Sequence, residues 1–457
     1  MSHSQLHRPQ QKGESFTTFG WLVCLWVLQI PFQYGYHISV LNQLQAVLTC
    51  KDVNPDSQHS SYGLPTCLPM SDFKFSVVTA VFTVGGLVGS LVANLFMDRM
   101  GRKGASRVSS LLVALGAGLM TVSASIPILG LGRLLVGVGS GIGLCVAPIY
   151  LSEIAPSKIS GNVGVLTQLG IVLGIMITQA VGLRFATQWR SVLFLSAAAS
   201  VAQFFLSGIV VDSPAWLEGK GYTEPRKSAA QKLWGTVPLP RPNADDSLED
   251  PLLDELEAHR EENVTAFTVP QVLAARELRK PLAIVCFAML SQQLSGINAV
   301  LYYSNDILAK SLPELGPYVS LGITIVNVLM TFPPIILIER MGRRQLLTLS
   351  TLGGISSLIL VGLGLNTNIV TLSSVAILTF VTSFAIGLGP VPFVMIPEVS
   401  PYHVRSGRTA NFVVGLVFLP LRNLLSGGEP TKEGRVFYLF AVALFASMFS
   451  LSRVYRG

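Results

Sequence analysis

Stretches of about 20 mainly apolar residues recur along this chain, and an α-helix of that length is what crosses the hydrocarbon core of a bilayer. Half of the 457 residues are hydrophobic and 12% are charged, whereas about 25% is typical of soluble domains. We therefore predict an all-α membrane protein with twelve transmembrane helices. The predicted spans are 16–41, 73–97, 107–126, 128–151, 162–185, 191–211, 282–303, 318–338, 346–365, 369–397, 411–425 and 435–452.

The first and eleventh spans are the unusual ones. The first is too long for a secretory signal peptide and has no small-residue cleavage site, so we expect it to remain in the membrane. A helix of the length of 411–425 reaches about 22 Å, against a hydrocarbon core of about 30 Å. The eleventh span must therefore include polar neighbours such as Arg408 or thin the bilayer.

The basic residues predict how the chain is oriented. A net charge of +7 alone would also suit a nucleic-acid-binding protein. Here, however, the basic residues cluster in short loops after the second and eighth spans, as in Arg102, Lys103, Arg343 and Arg344. Positive loops stay in the cytoplasm, so both termini are expected there, and no nucleic acid partner is expected.

The five cysteines have no metal-ligand spacing, so no metal site or cofactor is predicted. Those within spans, Cys24, Cys145 and Cys286, are expected to pack as small apolar residues. Cys50 and Cys67 share the first non-cytoplasmic loop, where a disulfide and two free thiols are both open. No cluster of nucleophile, base and acid is present in the sequence, so an enzyme is not expected.

Composition divides the chain between the sixth and seventh spans. The connector there has nine basic and thirteen acidic residues. Its segments 246–263 and 269–280 have helix-forming composition, although a flexible acidic linker suits the same residues. The predicted organisation is a tail at 1–15, a six-helix bundle at 16–211, the connector at 212–281, a second six-helix bundle at 282–452 and a tail at 453–457.

The two predicted bundles resemble each other. DRMGRKGA at 98–105 returns as ERMGRRQL at 339–346, which is 241 positions later. Glu153 in YLSEIAP has its counterpart in Glu398 of MIPEVSP, 245 positions later. Transporters are commonly built from two such halves related by an axis along the membrane normal, with the substrate at midplane between them.

The repeated loops contain candidate gating charges. A glycine permits a tight turn between helices, and the flanking charges can pair with acidic residues at neighbouring helix ends. Such pairs would lock the cytoplasmic side in one state and separate in the other, whereas setting topology alone is the simpler interpretation. The candidate gating residues are Asp98, Arg99, Arg102, Glu153, Glu339, Arg340, Arg343, Arg344 and Glu398.

Uncharged amides within the spans suggest the ligand. An amide donates and accepts at once, which suits the hydroxyl groups of a sugar better than an ion. A helix break at Ser295–Gly296 would let the amides of the seventh span face one cavity. Singly, each amide is better explained by hydrogen bonding between helices. As a group with two tyrosines they favour a polyol site, and they are Gln168, Gln292, Gln293, Asn298 and Asn327.

At this point the chain resembles the sugar porter family of the major facilitator superfamily, from about residue 20 to 440. The matching segments are FQYGYHISVLN, DRMGRKG, GRLLVGVGSGIGLCVAPIYLSEIAP, QLGIVLG, DSPAWL, QQLSGINAVLYYSNDI, ERMGRR and GLGPVPFVMIPEVSP. The resemblance implies a major facilitator fold, a lipid bilayer around it, and hydrogen bonds from the five amides to a sugar such as a hexose. It also places Phe393 where many relatives have a capping tryptophan, after Pro390 and Pro392, which would bend the tenth helix.

His37 lies in the segment FQYGYHISVLNQ, which the resemblance assigns to the wall of the central cavity. Proton-coupled relatives have aspartate at this position and facilitative relatives tend to have asparagine. A nearby Arg133 and desolvation both favour a neutral imidazole. We therefore expect facilitated diffusion, with proton symport through His37 as the alternative.

The chain departs from the family pattern at three places. Ala215 in DSPAWL replaces an arginine, the proline-glutamate-threonine-lysine-glycine motif after the last span is missing, and the eleventh span is short. A sugar sensor that binds without transporting is therefore a second hypothesis. Either protein would be a multi-pass component of the plasma membrane or of a vacuolar or other internal membrane.

Overall fold

A computed structural model describes ten parts of the chain, and their regular elements are helical, as predicted. The sites predicted at Gln293 and Asn298, the eleventh span, and the connector segments 246–263 and 269–280 lie outside the described residues, as does the side chain of Glu398. The described parts are 15–51, 63–156, 159–185, 188–235, 283–284, 287–292, 294–297, 316–367, 369–399 and 434–454.

The first half of the described chain follows the predicted spans. The second and third spans are two helices that meet at Gly101, where φ is 77° and the backbone is not helical, and α2 denotes both. Two short helices then open the connector. The elements are α1 (Thr18–Leu48), α2 (Asp72–Thr121), α3 (Ile126–Ile154), α4 (Ser160–Arg184), α5 (Trp189–Leu206), α6 (Pro214–Gly219) and α7 (Thr223–Trp234).

In the second half, two spans are interrupted. The eighth was predicted to be continuous but breaks at Thr331–Phe332, because Pro333 and Pro334 begin a new helix and lack the N–H groups that would continue the old one. The tenth bends through a π-helix at Phe384–Leu388. The helices are α8 (Gly316–Met330), α9 (Pro333–Met341), α10 (Arg343–Asn366), α11 (Val370–Ser383), α12 (Val391–Val399) and α13 (Gly434–Val454).

Seven of the described helical stretches are long and apolar enough to cross a membrane. One of them, Phe73–Thr121, contains the second predicted span and most of the third. Helix α1 is not among the seven, because its 31 residues include several glutamines, Pro31, Tyr34 and Tyr36. Its composition therefore indicates a helix whose polar residues require partners within the protein.

Glycines bring α2 and α3 into close backbone contact. A side-chain carbon added at Gly89 would lie 2.1 Å from the carbonyl oxygen of Val138, and one at Gly141 would lie 2.1 Å from that of Gly86. Small residues permit such approach between membrane helices. This packing holds α3 in place, and α3 contains both Arg133 and Glu153.

The two halves meet along α4. This helix contacts α8, α9 and α12 of the second half. A side-chain carbon at Gly164 of α4 would lie 2.8 Å from Cγ2 of Val394 in α12. Farther along α4, Gln179 Oε1 accepts a 3.5 Å hydrogen bond from the hydroxyl of Thr324. Gln168 therefore lies on the helix that forms the boundary between the halves.

In the loop after the first span, which is predicted to be non-cytoplasmic, Cys50 and Cys67 form a disulfide bond. Of the two predicted alternatives, the structure therefore has the disulfide. The indole Nε1 of Trp189 donates to the carbonyl oxygen of Thr66 at 2.7 Å, which attaches the same loop to α5. Cys24 is a buried free thiol, as its predicted packing role requires.

Candidate functional site

The seventh span has the break at Ser295–Gly296 that would let its amides face one cavity. Leu294 is helical, and Gly296 has φ 75°, a left-handed value that favours glycine. Gln292, in the turn before the break, is buried. Its Nε2 donates a 2.7 Å hydrogen bond to the carbonyl oxygen of Gly389. The break of the seventh span is therefore joined to the bend of the tenth.

Gln168 reaches the same point from the other half. A side-chain carbon added at Gly389 would lie 3.2 Å from Nε2 of Gln168, and Gln168 is also buried. Two glutamine amides, one from each half, thus lie on either side of a glycine that has no side chain to separate them. The sequence predicted the two amides, but not the residue between them.

Asn327 of α8 contributes an acceptor. The residue is 3% exposed, and its Oδ1 has no hydrogen-bond partner among the described residues. Leaving a buried acceptor unpaired costs about 1–3 kcal/mol. A ligand that donates a hydrogen bond to this oxygen would recover that free energy, as a hydroxyl group can.

An apolar group spans the boundary between the halves. Buried Ile171 of α4 packs with Met289 of the seventh span and Phe393 of α12. The partly buried Tyr34 of α1 lies against them. Binding sites for small molecules commonly combine such an apolar and aromatic lining with a few polar groups that set orientation.

His37 lies in a hydrogen-bonded group between α1 and α5. Gln33 Nε2 donates to the carbonyl oxygen of Ser196, so its Oε1 is the atom that accepts from the Ser196 hydroxyl at 2.8 Å. Because that donation uses the only hydroxyl proton of Ser196, the 2.6 Å contact with His37 Nε2 requires a proton on Nε2. In this tautomer Nδ1 is an acceptor, and it has no partner among the described residues.

The cavity-wall expectation for the end of the first span needs correction at three residues. His37 is fully buried and Gln33 is 3% exposed, and both bond to Ser196. Tyr36 donates its hydroxyl to the carbonyl oxygen of Val192 at 2.8 Å. These side chains face α5 because its backbone and serine hydroxyl satisfy them there, whereas Tyr34 faces the apolar group between the halves.

Arg133 is placed close to His37, as the resemblance implied. Its Nη1 donates to the carbonyl oxygen of His37 at 2.7 Å. The guanidinium also lies 4.5 Å from the centroid of the Phe82 ring, a cation–π geometry. The contact is therefore with the backbone of His37, and the imidazole itself bonds to α5.

At the end of the first half that is predicted to be cytoplasmic, Arg102 and Glu153 form a bidentate ion pair. Nε of Arg102 lies 2.8 Å from Oε2 of Glu153, and Nη2 donates to Oε1 at 2.9 Å. The side chains are 12% and 2% exposed, respectively. The pair therefore joins the bend of α2 to the end of α3 in a partly dehydrated setting, where removing one partner is costly.

Asp212 is a member of this cluster that the sequence analysis did not identify. Its Oδ1 accepts from the backbone N–H groups of Arg102 at 3.0 Å and Lys103 at 3.3 Å. A side-chain carbon at Gly101 would lie 2.1 Å from its Oδ2. Burial raises the pKa of the Asp212 carboxyl, and the backbone N–H groups and Arg102 oppose that rise. Its place at the start of DSPAWL was the only available signal.

The loop of the second half repeats the backbone of the first loop. Gly342 has φ 80°, and Arg343 donates to the carbonyl oxygen of Ile338 at 3.3 Å, as Arg102 does to that of Met97 at 3.4 Å. The remaining predicted gating charges, all exposed, are Asp98, Arg99, Glu339, Arg340 and Arg344.

Comparisons with known proteins agree with this architecture. The family profile described as "Sugar (and other) transporter" matches residues 23–454. A probable metabolite transport protein of Saccharomyces cerevisiae is 31% identical over 446 residues, which cover 92% of this chain and 88% of the relative. Facilitated glucose transporter member 3 of Canis lupus familiaris is 34% identical over 411 residues, covering 85% of this chain and 81% of the relative.

Among solved structures, the proton:xylose symporter XylE bound to 6-bromo-6-deoxy-D-glucose has a TM-score of 0.76. The alignment covers 95% of this chain and 96% of the symporter at 17% sequence identity. At that identity the likeness concerns the fold alone. The helices of both halves therefore have the arrangement of a major facilitator transporter.

Proposed function

The chain belongs to the sugar transporter family, and from that premise we propose that it moves a hexose across the membrane by facilitated diffusion with alternating access. It is an integral, multi-pass membrane protein of the major facilitator fold. The substrate crosses unchanged, so the residues of the site bind and release the sugar without covalent chemistry.

The observation that supports a sugar site is the meeting of two amides at Gly389. Gln292 donates to its carbonyl oxygen at 2.7 Å, and Gln168 approaches it from α4. With Oδ1 of Asn327, which has no hydrogen-bond partner in the described part of the chain, these groups offer donors and acceptors without net charge. A hexose can exchange its hydration shell for such groups, and the apolar group with Phe393 suits the carbon face of its ring.

Alternating access requires contacts that break and reform. In this proposal, the Arg102–Glu153 pair stabilises the cytoplasmic end of the first half in one state. Gly296 and the π-helix at Phe384–Leu388 are the points at which the seventh and tenth helices bend around the sugar. Broken helices at midplane are common in transporters for this reason.

Facilitated diffusion is preferred over proton symport because of the hydrogen bonds of His37. A second proton would have to sit on Nδ1, which has no acceptor among the described residues. It would also create a cation close to Arg133, whose guanidinium bonds to the His37 carbonyl oxygen. A neutral imidazole satisfies Ser196 without either cost, so we propose that His37 stays neutral during transport.

The test is uptake of labelled glucose into liposomes that contain the purified protein, with and without a pH gradient. We expect equilibration of glucose without accumulation, and no effect of the gradient beyond that on protein-free liposomes. Accumulation driven by the gradient would establish symport instead. Measurable glucose binding with no uptake would identify the sensor.

A matched pair of variants connects the uptake to the site. Gln292→Leu removes a buried amide, and losing such a partner costs about 1–3 kcal/mol, which corresponds to at least about fivefold weaker glucose binding. Gln188→Leu changes an exposed glutamine before α5 and should leave binding unchanged. Equal affinities for the two variants would remove Gln292 from the site.

A further inference from the structure

We propose that Gly389 is a positioning residue of the sugar site, acting through the amides of both Gln292 and Gln168. This inference rests on the proposed function and deepens it. Gly389 touches the amides from two sides: its carbonyl oxygen accepts from Gln292, and its missing side chain leaves room for Gln168. Neither role is visible in the sequence around it, where prolines are the more prominent residues.

The carbonyl oxygen of Gly389 orients the Gln292 amide. An amide has two N–H donors and an oxygen with two lone pairs. One N–H is taken by Gly389 at 2.7 Å, which fixes the plane of the group. The second N–H and Oε1 then form an adjacent donor and acceptor, the combination that a hydroxyl group, itself donor and acceptor, recognises.

The absence of a side chain at Gly389 serves Gln168. An added carbon would lie 3.2 Å from Nε2 of Gln168 and 3.2 Å from Cε1 of Phe384, which is tighter than ordinary contact. The backbone itself, with φ −70° and ψ −64°, is helical and accepts any L residue. Alanine is therefore disfavoured here by three neighbours at 3.2 Å, which are the Gln168 amide and the ring and carbonyl oxygen of Phe384, and not by backbone conformation.

The position of Gly389 in the tenth helix gives this contact a consequence for transport. Its N–H donates to the carbonyl oxygen of Phe384 at 2.8 Å, closing the π-helix, and Pro390 follows. Movement of the helix at this bend would displace the carbonyl that holds Gln292 and change the space beside Gln168. Binding geometry and helix bending are thus joined at one residue.

The first experiment is a double-mutant cycle between Gly389→Ala and Gln168→Asn, measured as the KM for glucose uptake. Crowding the amide should raise KM roughly fivefold or more. In the shorter Gln168→Asn background the added methyl group no longer meets this amide but still lies 3.2 Å from Phe384, so Gly389→Ala should raise KM by clearly less there than in the unmodified protein. Multiplicative effects, or no effect of Gly389→Ala, would overturn the proposal.

Gly354→Ala is the matched control for this cycle. Gly354 lies in α10 of the same half, and an added carbon there would meet its nearest neighbours at 3.6–3.8 Å, an ordinary contact. Its KM and melting temperature should equal those of the unmodified protein. If the Gly389→Ala protein does not fold, the second experiment tests the proposal.

The second experiment uses Gln292→Asn and needs no sugar. The asparagine side chain is about 1.5 Å shorter than glutamine, so its amide no longer reaches the carbonyl oxygen of Gly389. Without that hydrogen bond, the backbone amides of the peptide 384–394 should exchange their hydrogens several-fold faster in the sugar-free protein. A residue that only contacts sugar would leave this exchange unchanged, and that result would overturn the anchoring role. Absence of glucose uptake by the unmodified protein would refute the proposed function, while this exchange measurement would still decide the contact.

Discussion

The two repeated loops have the same backbone and different neighbours. Gly101 has φ 77° and Gly342 φ 80°, and in each loop the next arginine donates to a carbonyl oxygen five residues earlier. Yet a side-chain carbon at Gly101 would collide with Asp212, whereas one at Gly342 would meet no described atom within 4 Å. The repeat preserved the turn, and among the described residues the closer contact is at the first turn.

This difference suggests unequal roles for the halves in transport. The first loop is tied to α3 by the Arg102–Glu153 pair and to the end of the sixth span by Asp212. In the second half, Glu339, Arg340 and Arg344 around the loop are exposed. We therefore expect substitutions at the first loop to have the larger effects on stability and on glucose flux.

The largest effect is expected for Glu153→Gln. It leaves the guanidinium of Arg102 without its carboxylate in a site where Glu153 is 2% exposed, and breaking a buried pair in this way costs about 3–5 kcal/mol. Thermal unfolding in detergent should show a clear loss of melting temperature, together with a changed glucose uptake rate. The matched variant is Glu398→Gln in the second half, and an equal loss there would remove the difference between the loops.

A smaller effect is expected for alanine at the two glycines. Gly342→Ala places an alanine at φ 80° and ψ 161°, a backbone region populated essentially by glycine, at a cost of about 1–3 kcal/mol. Gly101→Ala adds a carbon 2.1 Å from Oδ2 of Asp212, so its melting temperature should fall further. If the two variants have the same melting temperature, the Asp212 carboxylate does not occupy the position that a side chain at Gly101 would take.

The smallest effect is expected for Asp212→Asn. The amide oxygen can still accept from the backbone N–H groups, whereas Asp212→Ala leaves them unpaired at about 1–3 kcal/mol. Burial raises the pKa of the Asp212 carboxyl above its ordinary 3.8, so the folded state binds its proton more tightly than the unfolded state. The stability of the unmodified protein relative to Asp212→Asn should therefore fall as the pH rises above 3.8.

Melting curves of the unmodified protein, Asp212→Asn and Asp212→Ala between pH 4 and pH 7 measure this pH dependence of stability. The range begins near 3.8, the ordinary pKa of an aspartate carboxyl. An increase in the relative stability of the unmodified protein across this range would mean that the backbone N–H groups and Arg102 outweigh burial. The difference in stability between Asp212→Asn and Asp212→Ala is the internal control, because neither variant has an ionisable group at residue 212.

Several features of the site could be predicted locally. The break at Gly296 and the turns at Gly101 and Gly342 follow from residues that adopt a left-handed φ, and each is where the sequence placed it. The proline pair at Pro333 and Pro334 would also have predicted the interruption of the eighth span, which was overlooked. Such features depend on a few neighbouring residues, so one sequence suffices.

Contacts between residues that are far apart in the sequence could not be predicted from neighbouring residues alone. Gln292 and Gly389 are 97 positions apart, Arg102 and Asp212 are 110 apart, and His37 and Ser196 are 159 apart. The direction in which His37 points depends on which of its neighbouring helices offers a hydroxyl group at the right height. Only the packed bundle supplies that information.

By itself, the amino-acid sequence determined that this protein lies in a membrane, that its two halves repeat, and where its helices turn or break. Those outcomes follow from the transfer of apolar residues into lipid and from allowed backbone angles, both of which are local. The tertiary structure alone decided that Gly389 lies between the amides, that Asp212 fills the space above Gly101 and that His37 bonds to α5. The physical reason is that buried polar groups bond to whatever partner the packing of helices brings within reach.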